Sequence, residues 1–236
     1  MRPILVTGAA RGLGAEICRH LAKRGHDLVI HYKRSEKEAL QLAEECRSYQ
    51  VLVETLYGDF SLQESLNTFI FRLLKNFPHI KGLVNNVGNY LIAPLLETKF
   101  GEWQDLFQVN FFTPLVLSQA LVPSLLEQKG TILNIGVSGL QTNRGFTKTT
   151  AYAASKSTLL FYTLSLAKEL ASAGVRVNML SPSYMENAVD LKPASSFPLK
   201  RPALLSEVAC VAAFLFEEES AYITGQNIEI TGGYTN

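Results

Sequence analysis

Ile4-Leu5-Val6-Thr7-Gly8-Ala9-Ala10-Arg11-Gly12-Leu13-Gly14 is the stretch that decides how this chain folds. Three apolar residues halted by a glycine turn read as a short strand buried on both faces. Gly8 permits the tight turn, Gly12 lets backbone approach a ligand, and Gly14 lets the next helix pack closely on the strand. A helix over Gly14 to Lys23 offers free N–H groups and a positive dipole end to an anion. Strand, glycine turn and helix in that order is the setting in which such glycines cradle a pyrophosphate; elsewhere they would be an ordinary turn.

From that unit outward the chain alternates. Further strands are expected at Asp27 to Tyr32, Val51 to Leu56, Gly82 to Asn85, Thr131 to Ile135, Val175 to Leu180 and Asn227 to Ile230. Helices are expected at Glu36 to Arg47, Ser61 to Lys75, Glu102 to Leu126, Tyr152 to Ala171 and Ser206 to Phe216. Short apolar strands alternating with helices imply a parallel sheet covered on both faces. The expected fold is α/β: a single-domain Rossmann fold over 1–236, with a doubly wound seven-stranded parallel sheet. No linker or repeat divides it. The loosest stretch, 183–202, is rich in proline and is expected to form a lid, since long irregular segments in compact domains tend to be functional.

Composition narrows the function. The 236 residues are 47% apolar and 18% charged, which is ordinary for a globular chain. Twenty-two basic against 21 acidic residues leave a formal charge of +1, so there is no electrostatic case for nucleic acid or a membrane surface. Cys18, Cys46 and Cys210 are far apart, without metal-ligand spacing, and suit a reduced, cytoplasmic setting. The first strand is too short for an export signal, and no apolar run approaches membrane-spanning length.

An NAD-binding unit of this kind carries an acidic residue about 20 positions after the glycines, to hold the ribose 2′-hydroxyl. Here the second strand ends in His31-Tyr32-Lys33-Arg34-Ser35. Arg11, Lys33, Arg34 and Ser35 suit a 2′-phosphate instead, which favours NADPH over NADH. Asp59, after the third strand, is the expected partner of the adenine amino group.

The chemistry is expected from Tyr152 and Lys156, which a helix would place on one face. A phenol holds its proton to about pH 10 and is a poor acid–base catalyst until its anion is stabilised. An ammonium one turn away favours that anion. Taken alone, the pair is no more than a half-buried ring beside a solvated charge.

With the motifs set in order, the chain resembles the short-chain dehydrogenase/reductase family over essentially its whole length. Thr7-Gly8-x-x-x-Gly12-x-Gly14, Asn85-Asn86-Val87-Gly88, Val109-Asn110, Tyr152-x-x-x-Lys156 and Arg176-Val177-Asn178 each match a family motif. The resemblance implies hydride transfer between a nicotinamide and a carbonyl carbon. Tyr152 would be the proton donor, Lys156 its tuner and the ribose contact, and Asn110 the holder of a relay water. Leu13, Phe60, Asn86, Val87, Gly88, Pro182 and Ser183 would join the cofactor contacts, Ser183 standing where the family has glycine. The family's serine falls at Val137 in Asn134-Ile135-Gly136-Val137-Ser138. Ser138, one residue later, is the expected carbonyl-binding hydroxyl, with Thr142 and the threonines from Thr147 to Thr150 as competitors.

Within the family the chain looks most like 3-oxoacyl-acyl-carrier-protein reductases and their unassigned relatives, so an acyl thioester or another small ketone is the expected substrate. Pteridine or quinone reduction is the alternative chemistry, and a non-catalytic NADPH-binding regulator the alternative of another class. Phe111, Phe112, Leu159, Phe161 and Tyr162 give two helices apolar residues on more than one face. Because relatives pair through these helices, a homotetramer is expected, with a dimer second.

Overall fold

The computed structural model describes residues 1–142 and 145–234. Its strands are β1 (Ile4–Val6), β2 (Leu28–Tyr32), β3 (Val53–Tyr57), β4 (Gly82–Asn85), β5 (Thr131–Ile135), β6 (Arg176–Pro182) and β7 (Asn227–Ile230). They form one parallel sheet in the order β3-β2-β1-β4-β5-β6-β7. The helices are α1 (Gly12–Lys23), α2 (Glu36–Arg47), α3 (Gln63–Asn76), α4 (Phe100–Phe107), α5 (Thr113–Gln128), α6 (Thr150–Leu170) and α7 (Leu205–Phe214).

Both faces of the sheet are covered, and the strand period of two divides the core accordingly. Ile4 and Val6 of β1 pack with α1, α2 and α7, while Leu5 between them packs with α3, α5 and α6. The expected fold is therefore found, and its all-apolar strands are the direct result of having no solvent face.

One helix differs from expectation. The stretch expected as a single helix over 102–126 is broken by a π-helical turn at Gln108–Phe112, between α4 and α5. Pro114 accounts for the break. It has no N–H for the carbonyl of Asn110, four residues earlier, and its ring crowds that carbonyl. The widened turn is closed by Thr113, whose N–H and hydroxyl both donate to the Gln108 carbonyl. Together Phe100–Gln128 form a helical run long and apolar enough to cross a membrane, against the sequence expectation. Half of its most apolar window is buried, and Leu117, Leu121 and Leu125 pack onto the sheet with no exposure, as core residues do.

The 183–202 stretch is an ordered flap. Its base is tied where Met185 pairs with Ala203, and Phe197 is buried beneath Tyr184 and Tyr234.

Candidate active site

The carboxyl ends of β1, β4, β5 and β6 open into a cleft of about 970 Å³. On one side stands the glycine turn. Gly8 has φ +61°, and a Cβ there would come within 2.9 Å of the Val87 side chain. A Cβ at Gly14 would meet the Gly8 carbonyl oxygen at 2.6 Å, so the close packing of helix on turn requires glycine at both positions. The turn is held by its neighbours: Thr7 Oγ1 accepts from Asn86 and Val87 N–H, and Asn86 Nδ2 donates to the Thr7 and Gly8 carbonyls. Thus Asn86 and Val87, expected as cofactor contacts, build the turn itself.

Among the described residues no side chain caps the N-terminus of α1, and its first turn carries no acid. Its N–H groups and positive end therefore face the cleft without a competing anion, beside Arg11 and Leu13. Asn187 of the flap reaches over the same spot, its Nδ2 3.2 Å from where a Gly12 Cβ would stand. These features fit a dinucleotide pyrophosphate.

At the adenosine end two expected roles collide. Lys33 Nζ lies 2.7 Å from Asp59 Oδ1, which also accepts from the Ser61 N–H and hydroxyl. Partial burial raises the Asp59 pKa, but Lys33 and Ser61 outweigh it and hold the carboxyl near 2. Lys33 is thus partnered within the chain, while Arg34 is exposed and Ser35 half-buried at the β2–α2 turn. Phe60 is buried and stacks on the ring of His31 at 4.0 Å. It is a core residue and, although expected as a cofactor contact, does not line the cleft.

The catalytic candidates converge across the cleft. Tyr152 and Lys156 share the first turns of α6, and both line the cleft with Ser138, Pro182 and Ser183. Asn110, fully buried in the π turn, accepts from Asn89 N–H at 2.8 Å and donates to the Asn89 carbonyl at 3.0 Å and to Ser155 Oγ. π-Helical turns of this kind recur at functional sites. A Cβ at Gly88 would sit 3.3 Å from Asn110 Oδ1 and 3.5 Å from Lys156 Nζ. That turn therefore lies against both side chains.

Two buried hydroxyls, Ser138 Oγ and Ser183 Oγ, have no hydrogen-bond partner among the described residues. An orphaned buried hydroxyl is costly unless something else satisfies it. Both residues line the cleft where a bound dinucleotide and substrate would lie, and Thr142 by contrast donates to the Gly139 carbonyl.

Electrostatics depart from expectation. Burial, with the neighbouring Tyr90 phenol adding to it, raises the Tyr152 pKa. Lys156 does not offset this: its ammonium donates to the Ile135 carbonyl at 2.7 Å, and burial lowers its own pKa to about 8. In this state of the chain the expected tuning of Tyr152 by Lys156 is not in place. Tyr90, which the motifs did not mark, meets the Tyr152 ring edge-on at 4.8 Å and donates to Asp190 of the flap at 3.2 Å. His31 was also unmarked, though a polar residue inside an apolar strand is a legible signal of a buried hydrogen-bonding role.

A glycine turn opening a helix, facing a Tyr–Lys pair across one cleft of a parallel sheet, is the architecture of a dinucleotide-binding oxidoreductase. A family model described as enoyl-(acyl carrier protein) reductase matches residues 8–235. The chain belongs to the short-chain dehydrogenase/reductase family. It is 32% identical over 239 residues to the 3-oxoacyl-[acyl-carrier-protein] reductase FabG of Staphylococcus epidermidis, covering 97% of each chain. It is 34% identical to the L-xylulose reductase of Caenorhabditis elegans, over 99% of this chain and 95% of that one. Among solved structures, a blue fluorescent protein from a metagenomic library in complex with NADPH superposes with a TM-score of 0.91 at 28% identity, over 100% of this chain and 98% of that one.

Proposed function

We propose that this chain is an NADPH-dependent reductase that converts a ketone, of the 3-oxoacyl thioester kind or smaller, into an alcohol. The observation that carries the reading is the meeting of Tyr152, Lys156 and the unpartnered Ser138 hydroxyl in the cleft that the glycine turn opens. NADPH, when bound, supplies the hydride for the carbonyl carbon. Ser138 donates a hydrogen bond to the carbonyl oxygen, where negative charge grows in the transition state. Tyr152 holds the proton that this oxygen receives. Lys156 offers donors to the nicotinamide ribose, and its positive charge would make the phenol a better acid once the ammonium leaves the Ile135 carbonyl. Asn110, fixed by Asn89 and Ser155, orders the water that returns a proton.

The relatives support carbonyl reduction as a class: one is named for 3-oxoacyl groups on a carrier protein and another for L-xylulose. NADPH is favoured over NADH because Arg34 is exposed at the adenosine end and Arg11 beside the glycine turn, while the β2 end carries no carboxylate. A reduced, cytoplasmic setting is the one that the free cysteines Cys18, Cys46 and Cys210 suit.

A homotetramer is the proposed assembly. Phe112 in the π turn and Phe161 on α6 are 45% and 74% exposed, and a groove beside α4 is lined by Trp103 and Phe107. Leu159, by contrast, is fully buried, with Phe111 and Tyr162 packed on it. The spare apolar surface is thus narrower than the helix sequences imply.

The deciding experiment follows NADPH oxidation with acyl thioesters, quinones, pterins and simple ketones, with NADH in parallel. Tyr152→Phe should lower ketone turnover by about a thousandfold, in the range of general acid catalysis, while NADPH still binds. Unchanged turnover would remove Tyr152 from the chemistry.

A further inference from the structure

His31 lies inside β2, after the apolar Leu28, Val29 and Ile30 and before Tyr32, and is only 2% exposed. Its Nδ1 accepts the Gly8 N–H at 2.9 Å, and its Nε2 lies 3.0 Å from the Gly58 carbonyl oxygen. Gly8 begins the turn that faces the pyrophosphate site. Gly58 precedes Asp59 and Phe60, the loop at the adenosine end. One side chain thus bridges the two loops between which a dinucleotide would lie. The tautomer follows from the partners. A backbone N–H can only donate, so Nδ1 carries no proton; a carbonyl can only accept, so Nε2 carries it. The ring is fixed as well as bonded, stacked on Phe60 at 4.0 Å and edge-on to Phe69 at 5.2 Å.

We propose that His31 is a positioning residue for the cofactor, a strut between Gly8 and Gly58 that holds the phosphate turn and the adenosine loop at their binding separation before the dinucleotide arrives. The inference rests on the reading of the cleft as an NADPH site. Preorganisation of this kind lowers the ordering cost of binding. It acts on affinity and not on the chemical step, because His31 approaches neither Tyr152 nor Ser138 among its contacts. The Gly8 N–H is also consumed by the ring, which leaves the α1 N-terminus as the source of backbone donors for phosphate.

The test measures the NADPH dissociation constant of the full chain by cofactor fluorescence, the thermal midpoint without cofactor, and kcat and KM with NADPH varied. His31→Leu removes both hydrogen bonds. It should weaken NADPH binding about tenfold or more and raise the NADPH KM to match, with kcat at saturating cofactor within about twofold. His31→Asn places an amide oxygen near the position of Nδ1 and keeps only the Gly8 contact, so it should bind NADPH more tightly than His31→Leu but more weakly than the wild type. If His31→Leu does not fold, His31→Gln takes its place, since its longer amide reaches Gly58 and not Gly8. Asn and Gln each keep one end of the strut, so both binding NADPH more weakly than the wild type supports it, and wild-type affinity in either overturns it. A folded His31→Leu that binds NADPH as tightly as the wild type, or that loses kcat with affinity intact, overturns it too. Failure of the wild type to bind NADPH would remove the functional reading and this inference together; wild-type binding untouched by every His31 variant removes this inference alone.

Discussion

Lys156 Nζ donates to the backbone carbonyl of Ile135 at 2.7 Å, so the ammonium that family chemistry assigns to the Tyr152 phenol is anchored at the end of β5. It is fully enclosed, and burial brings its pKa from 10.5 to about 8. The unfolded chain then binds more protons than the folded one between pH 8 and 10.5, so stability rises with pH across that window. Below it the buried charge costs the fold about 3 kcal/mol. Lys156→Met keeps the length and removes the charge. Allowing about 1 kcal/mol for the lost bond to Ile135, the variant should melt roughly 5 °C higher while its turnover collapses. Calorimetry and a steady-state assay on the same sample check this; a lower melting point would show that the ammonium stabilises the fold.

Ser138 gives the opposite separation of stability from activity. Its hydroxyl is buried without a partner, so removing it leaves no protein group unsatisfied and relieves a desolvated one. Ser138→Ala should therefore leave the melting point unchanged or slightly raised. Loss of a donor at the developing oxyanion should cost about a hundredfold or more in kcat. A fall of several degrees in melting point would show that the hydroxyl is partnered in the fold, and retained activity would pass the carbonyl contact to one of the loop threonines.

The sheet was legible because burial on both faces writes itself as unbroken apolar runs, and β1 to β7 fall within two residues of their expected positions. The glycine turn was legible because positive φ and close approach leave glycine little competition. The π turn was not. It depends on how Pro114 deprives Asn110 of a donor in a helix whose polarity pattern continues unbroken, and the pattern alone gives one long helix. Pairings between distant side chains were equally hidden. Lys33 and Asp59 each had a sensible partner on the cofactor, and only the fold brings them within 2.7 Å of each other. Tyr90 and Asp190 are 100 residues apart in sequence and meet across the cleft mouth.

The Lys33–Asp59 pair makes a prediction about cofactor choice. An ammonium already paired with Asp59 and donating to Ser61 contributes less to a 2′-phosphate than an exposed guanidinium, whose fork also matches phosphate geometry. Arg34→Ala should lower the preference for NADPH over NADH about tenfold or more, and Lys33→Ala by less. Ratios of kcat/KM for the two cofactors decide it. A larger effect at Lys33 would mean that the ammonium leaves Asp59 for the phosphate on binding.

His31 links the fold to pH. Burial lowers its pKa from 6.5 to about 4; the Gly58 carbonyl and the nearby Asp59 carboxylate, which favour the charged form, only partly oppose that. Phe60 and Phe69 pack on the ring and do not titrate. Between pH 6.5 and 4 the unfolded chain takes up a proton that the folded chain refuses, so stability is lost as pH falls through that window. The loss from this one group should reach about 3 kcal/mol by pH 4. Protonation there also forces an Nδ1–H against the Gly8 N–H, which removes the acceptor that holds the turn. His31→Asn has no such group, so its stability should fall less steeply over the same range even though it starts lower at pH 7. Urea unfolding of both proteins at pH 7, 6, 5 and 4.5 measures the two slopes, and parallel curves would place the acid sensitivity elsewhere in the molecule.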